Sequence, residues 1–86
     1  MDEIQQLRKK VDAIDDQILS ALCERANICK AIGETKKKQG APIRDTSREN
    51  EVYRRIKEKS AQLHLNPAQI EQVYREIVNM CSAVQE

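Results

Sequence analysis

Phenylalanine and tryptophan are missing from this 86-residue sequence, and two tyrosines are its only aromatic residues. The chain therefore lacks the large apolar side chains that dominate most cores. A chain this short buries only about 60% of its unfolded surface, so it has room for one domain. Alone, that domain would be marginal without disulfides, a metal or a partner chain. No apolar run approaches the ~20 residues a bilayer crossing needs, and the N-terminus opens on Asp2 and Glu3 rather than a basic segment. The expected location is the cytoplasm. Neither sign of charge is in excess, since 15 Lys plus Arg face 14 Asp plus Glu. That balance argues against a general nucleic-acid binder. Cys23, Cys29 and Cys81 form no CxxC pair, and none sits at zinc-ligand spacing from His64. They read as three reduced thiols, with no metal site and no cofactor expected.

Charge itself is abundant, at 34% of residues, which suits amphipathic helices with solvated outer faces. Proline and glycine are scarce, and from Ile4 to about Lys38 the only helix breaker is Gly33. A heptad seam through Ile4, Leu7, Val11, Ile14, Ile18, Ala21, Arg25, Ile28, Ile32 and Thr35 predicts one long helix. At 1.5 Å per residue it runs roughly 50 Å, whereas a compact globule of this length is only about 30 Å across. Gln39-Gly40-Ala41-Pro42 ends it, with Ile43 as the apolar anchor of the following loop. A second helix starts at Asp45 or Thr46, where Thr46-Ser47-Arg48-Glu49 has capping-box form, and carries a stripe of Val52, Ile56, Ser60 and Leu63. Asn66-Pro67 opens a third, with Ile70, Val73, Ile77, Met80 or Cys81, and Val84 inward. The fold class is all-α, one long helix and two shorter ones. An overhanging helix is best buried in an intertwined homodimer, although the same seam also allows an elongated coiled-coil adaptor.

Within the seam one residue does not belong. Arg25 is its only charged member, and a buried guanidinium is costly unless an anion pairs with it. A structural ion pair would account for it alone. Lys36, three helical turns on, returns to within about 20° of the same face, so both cations can reach toward one small anion. Lys36 could equally be one of three solvated lysines. Arg44, Asp45, Arg48 and Glu49 gather in the loop and first turn of the second helix. Capping explains the two acids, but a cation at position 48 opposes the helix dipole. Cys81 and Gln85 share a face near the C-terminus. Arg8 lies about 25 Å from Arg25 along the same helix, so both can serve one ligand only if Arg8 comes from a second chain.

Taken together these elements are recognisable. Leu7-Arg8-Lys9-Lys10-Val11-Asp12-Ala13-Ile14-Asp15, Glu24-Arg25, Lys36, Pro42-Ile43-Arg44-Asp45, Arg48-Glu49 and Gln85 resemble, in order and over essentially the whole chain, the all-helical class of chorismate mutase. The opening motif alone is weak. The ordered set is specific. The resemblance implies a single chorismate mutase domain over residues 1–86 and an intertwined dimer with two shared sites. It also implies conversion of chorismate to prephenate in phenylalanine and tyrosine biosynthesis, the branch of the shikimate pathway. By the same resemblance Arg8 of the partner subunit and Arg25 hold substrate carboxylates. Lys36 contacts a carboxylate and the ether oxygen, and Gln85 reaches that oxygen. Arg48 lies by the carboxylates, while Asp45 and Glu49 surround the substrate hydroxyl. Cys81 stands where the family pattern has a small hydroxyl residue.

The chemistry is consistent with these residues. A pericyclic rearrangement needs no nucleophile, metal or cofactor; it needs a flexible dianion held in one conformer and charge stabilised on the breaking ether oxygen. Arg8, Arg25, Lys36 and Arg48 against Asp45 and Glu49 leave a surplus of two positive charges, which matches a dianion. Two rivals remain: a lyase of the same fold releasing pyruvate from isochorismate, and a non-catalytic helical dimerisation or regulatory module. Docking on another shikimate-pathway enzyme stays open.

Overall fold

The computed structural model describes residues 2–86. Three helices follow one another: α1 (Glu3–Gln39), α2 (Thr46–Gln62) and α3 (Pro67–Gln85). The described residues include no strand, and no described helix is long and apolar enough to cross a membrane.

Local chemistry sets each boundary. Asp2 caps α1 by accepting from the Gln5 backbone N–H at 2.7 Å, and three lysines in the last turn face the negative end of the dipole. Gly40 ends α1 in the left-handed conformation, φ 68°, while the Ala41 N–H returns to the Lys36 carbonyl at 2.9 Å. At α2 the predicted capping box is displaced by one residue. Asp45, not Thr46, is the cap, accepting from the Arg48 N–H at 3.0 Å, because an ionised oxygen suits the positive helix end better than a hydroxyl. His64 takes the left-handed position after α2, φ 61°, and the Leu65 N–H reaches back to the Ser60 carbonyl at 2.9 Å. Asn66 accepts from the N–H groups of Ala68 and Gln69, with Pro67 as first helical residue.

Packing follows from where apolar mass is available. Helix α3 lies against α1 on one side and α2 on the other, and α1 does not meet α2. The core is Val52, Tyr53 and Ile56 from α2 with Val78 from α3, flanked by Ile70 and Tyr74. Arg75 covers the Tyr53 ring, its guanidinium carbon 4.4 Å from the centroid. Val52, Ile56 and Ser60 are buried as the stripe predicts, but Leu63 is exposed because the helix ends before it. On α3, Val73, Met80 and Val84 are also exposed, and Tyr74, Val78 and Ser82 face inward beside Cys81.

Helix α1 departs furthest from a compact globule. Its only fully buried residue is Gly33, and the face turned toward α3 carries Leu22, Arg25, Ala26, Cys29, Gly33 and Lys36. That face sits one residue, about 100°, round from the predicted seam in this half of the helix. Ile28 and Ile32 are therefore exposed, and Ile4, Leu7, Val11, Ile14 and Ile18 are each more than half exposed. The radius of gyration is 16.2 Å and the longest dimension 57 Å, against about 12 Å for a compact chain of this length. Among the described residues, the apolar stripe along the overhanging helix has no partner.

Candidate active site

The second half of α1 runs side by side with α3 in the same direction. Cys29 lies across from Cys81, Gly33 abuts Gln85, and the Lys37 ammonium donates to the Glu86 carbonyl at 2.8 Å. A Cβ on Gly33 would stand 2.7 Å from the Gln85 Cα and 2.9 Å from its carbonyl oxygen. Only glycine lets the two backbones come so close. The signal for this was present in the sequence. A glycine inside a long helix costs about 1 kcal/mol relative to alanine, and it marks a close approach more often than a break.

The contact at Gly33 sets Gln85 beside Lys36, one turn further along α1. The Lys36 ammonium donates to Gln85 Oε1 at 2.9 Å and also to the Ile43 carbonyl, which ties the α1–α2 loop to the same point. With its oxygen occupied, the Gln85 amide keeps two N–H donors that no described protein acceptor takes up. Arg25 reaches the same region from below, its Nη1 2.7 Å from Cys81 Sγ and 3.8 Å from Cys29 Sγ.

A cavity of about 210 Å³ opens between these groups and the start of α2. Arg25, Lys36, Asp45, Arg48, Glu49, Cys81 and Gln85 all line it, with Cys29, Ile32, Ile43, Val52, Val78 and Ser82. Seven of the eight site residues read from the sequence thus converge. Arg8 does not; it is exposed on the overhanging part of α1, about 25 Å from Arg25. The residues missed by the sequence reading are Cys29 and Ser82, visible only as helical neighbours of Arg25 and Gln85 at spacings of four and three.

Charge is distributed unevenly round the cavity. Arg44 grips Glu49 through two hydrogen bonds, 2.9 and 2.8 Å, and bonds Asn79 Oδ1 at 3.3 Å. This grip holds the Glu49 carboxyl below its ordinary range. Arg48 pairs with Glu51 on the surface, so position 48 has a protein anion to offset the helix dipole. Among the described residues, Arg25 and Lys36 have no carboxylate partner. Burial, then the Cys81 thiol, pushes the Cys29 thiol up, while Arg25 and Lys36 pull it down.

Two half-buried cations with no acid partner among the described residues, an amide with donors to spare and a small cavity make up the candidate site of this all-helical chain. Comparison with known proteins gives its family. The model of chorismate mutase type II matches residues 7–86, and the chain belongs to that family. A bifunctional chorismate mutase/prephenate dehydratase of Aquifex aeolicus is 36% identical over 100% of this chain and 25% of its own length. A chorismate mutase of Methanocaldococcus jannaschii is 39% identical over 66% of this chain and 58% of its own. The chain therefore spans only a quarter to somewhat over half of these relatives. Among solved structures, a conserved hypothetical protein from Pyrococcus furiosus superposes with a TM-score of 0.83 at 34% identity, covering 100% of this chain and 99% of that one.

Proposed function

We propose that residues 1–86 form one chorismate mutase domain that binds chorismate and rearranges it to prephenate, supplying phenylalanine and tyrosine biosynthesis. Two such chains intertwine, and each of two sites draws residues from both. The observation that carries this reading is the Arg25, Lys36 and Gln85 arrangement. Two cations lacking acid partners supply one positive charge for each substrate carboxylate, and the Lys36–Gln85 hydrogen bond holds two donors side by side. In the rearrangement a C–O bond breaks as a C–C bond forms, with no proton transfer. The protein therefore acts by fixing the compact chair conformer and by stabilising charge on the ether oxygen.

Roles follow from position. Lys36 and the Gln85 amide N–H groups donate to the ether oxygen, and Lys36 also meets a carboxylate. Arg25 grips a carboxylate together with Arg8 of the partner subunit, and Arg48 adds a third contact at the cavity mouth. Asp45 and Glu49 receive the substrate hydroxyl, with Arg44 keeping Glu49 ionised. Cys81 is 3% exposed and backs Arg25 rather than offering a hydroxyl. The exposed stripe from Ile4 to Ile18 supports the dimer, because burying it against a second long helix brings Arg8 toward a site its own chain cannot reach.

The test is a turnover assay on purified protein with product identification. Removing one donor aimed at developing charge costs about 2.7–4 kcal/mol, so Lys36→Ala and Arg25→Ala should each lose roughly 100-fold or more in turnover. Near-normal turnover in either variant would overturn the assignment. Pyruvate release from isochorismate without prephenate formation would replace the mutase with a lyase.

A further inference from the structure

We propose that Cys29 and Cys81 form an oxidative modification site, a thiol pair that closes to a disulfide across α1 and α3 and shuts the anion cavity. The effect on turnover rests on the mutase reading; the bond itself does not. Both sulfurs lie within 3.8 Å of one guanidinium nitrogen, on facing positions of two parallel helices. One turn further on, Gly33 and Gln85 bring the helix backbones closer than any pair of Cβ-bearing residues permits. The two thiols touch one another as well as Arg25, so facing cysteines beside so close a helix approach are placed to form the short bridge a disulfide requires.

Access divides the roles. Both thiols line the cavity, but Cys29 is half-buried whereas Cys81 is buried. Cys29 is thus the first thiol to meet a peroxide; burial and the Cys81 thiol hold it protonated at neutral pH, so the reaction should quicken as pH rises. The sulfur attacks one peroxide oxygen: an S–O bond forms, the O–O bond breaks, and a first water leaves, giving a sulfenic acid. The Cys81 sulfur then attacks that sulfur; an S–S bond forms, the S–O bond breaks, and the departing hydroxide takes the Cys81 thiol proton to leave as the second water. Each sulfur gives up one electron and the peroxide takes both. The new bond draws together the two sulfurs on which the Arg25 guanidinium rests, so the guanidinium is displaced and the carboxylate clamp is lost. A bound dianion holds Arg25 in place and covers Cys29, and so protects the pair.

Hydrogen peroxide treatment of purified protein, followed by alkylation and peptide mass mapping, tests this. The expected result is a Cys29–Cys81 linked peptide within one chain, and turnover down roughly 100-fold, as for loss of Arg25, with recovery in dithiothreitol. Chorismate added first should slow the loss. Cys29→Ala should keep its own untreated turnover after peroxide, while Cys23→Ser should respond as the parent does. Disulfides running only through exposed Cys23, or equal inactivation of Cys29→Ala, would overturn the proposal. Because the linked peptide is read without any assay, a chain that does not consume chorismate would refute the mutase reading and leave the thiol pair to stand or fall separately.

Discussion

Replacing Gly33 with alanine places one methyl group where α3 already rests on α1. The added carbon would sit 2.7, 2.8 and 2.9 Å from the Gln85 Cα, Cβ and carbonyl oxygen. The closest of these is about 0.8 Å short of the ~3.5 Å at which carbon atoms rest against each other. All three atoms belong to the helix backbone or its first side-chain carbon, so no rotamer change relieves them. The end of α3 must move. Stability should change little, because alanine gains about 1 kcal/mol of helix propensity while overpacking costs about 1–3 kcal/mol. The site should suffer far more. A shift of that size stretches the 2.9 Å Lys36–Gln85 bond beyond hydrogen-bonding range. Misplacement of a catalytic group by about 1 Å costs up to roughly 100-fold in rate. Steady-state kinetics and thermal unfolding on the same preparation should show kcat down by about 10- to 100-fold with KM less affected, since the contact does not touch Arg25. Parental kcat would refute the view that Gly33 positions Gln85.

Further expectations follow from the same geometry. Turnover should hold steady from pH 6 to 8, because Glu49 is held ionised well below that window and the Cys29 thiol is pushed above its ordinary 9.0; a steep fall across the window would expose another essential acid. The Arg44–Glu49 pair should stabilise the fold at neutral pH and lose its effect in acid. The folded value of Glu49 is depressed, so its stabilisation is complete above its ordinary 4.5 and disappears as pH falls through the folded value. Thermal unfolding of Glu49→Gln should therefore show a flatter acid limb than the parent. His64→Gly should raise stability by about 1 kcal/mol, since His64 holds a left-handed conformation that glycine adopts without strain; a lower melting temperature would contradict this account of the α2 cap.

The helix boundaries were largely legible because each is written in short-range chemistry. Asn66-Pro67 and the Gly40 turn stand where the sequence places them. The start of α2 was left between Asp45 and Thr46, since two adjacent polar residues can both cap, and electrostatics decides for Asp45. Face assignments were less secure. A heptad seam on α1 collects most of its large apolar residues, yet the face that meets α3 carries Arg25, Cys29, Gly33 and Lys36, which hydrophobicity does not select. Arg25 and Lys36 were readable because charge on or beside an apolar stripe is costly without a reason, whereas the roles of Asp45, Arg48, Glu49, Cys81 and Gln85 came from the family resemblance. Cys29 escaped, because nothing in a single sequence tells a cysteine lining a cavity from one filling a core, and Gly33 because its role lies in the side chain it lacks.

Mixed dimers test the central claim, that a dicarboxylate site is completed by Arg8 of the partner subunit, most directly. Arg8→Ala and Lys36→Ala chains are each purified, assayed alone, then unfolded together in equal amounts and refolded. Alone, each should have lost roughly 100-fold or more of its turnover of chorismate to prephenate. A mixed dimer carries both lesions in one site and none in the other, so random pairing should restore about a quarter of parental activity. A mixture no more active than its components would contradict the shared site.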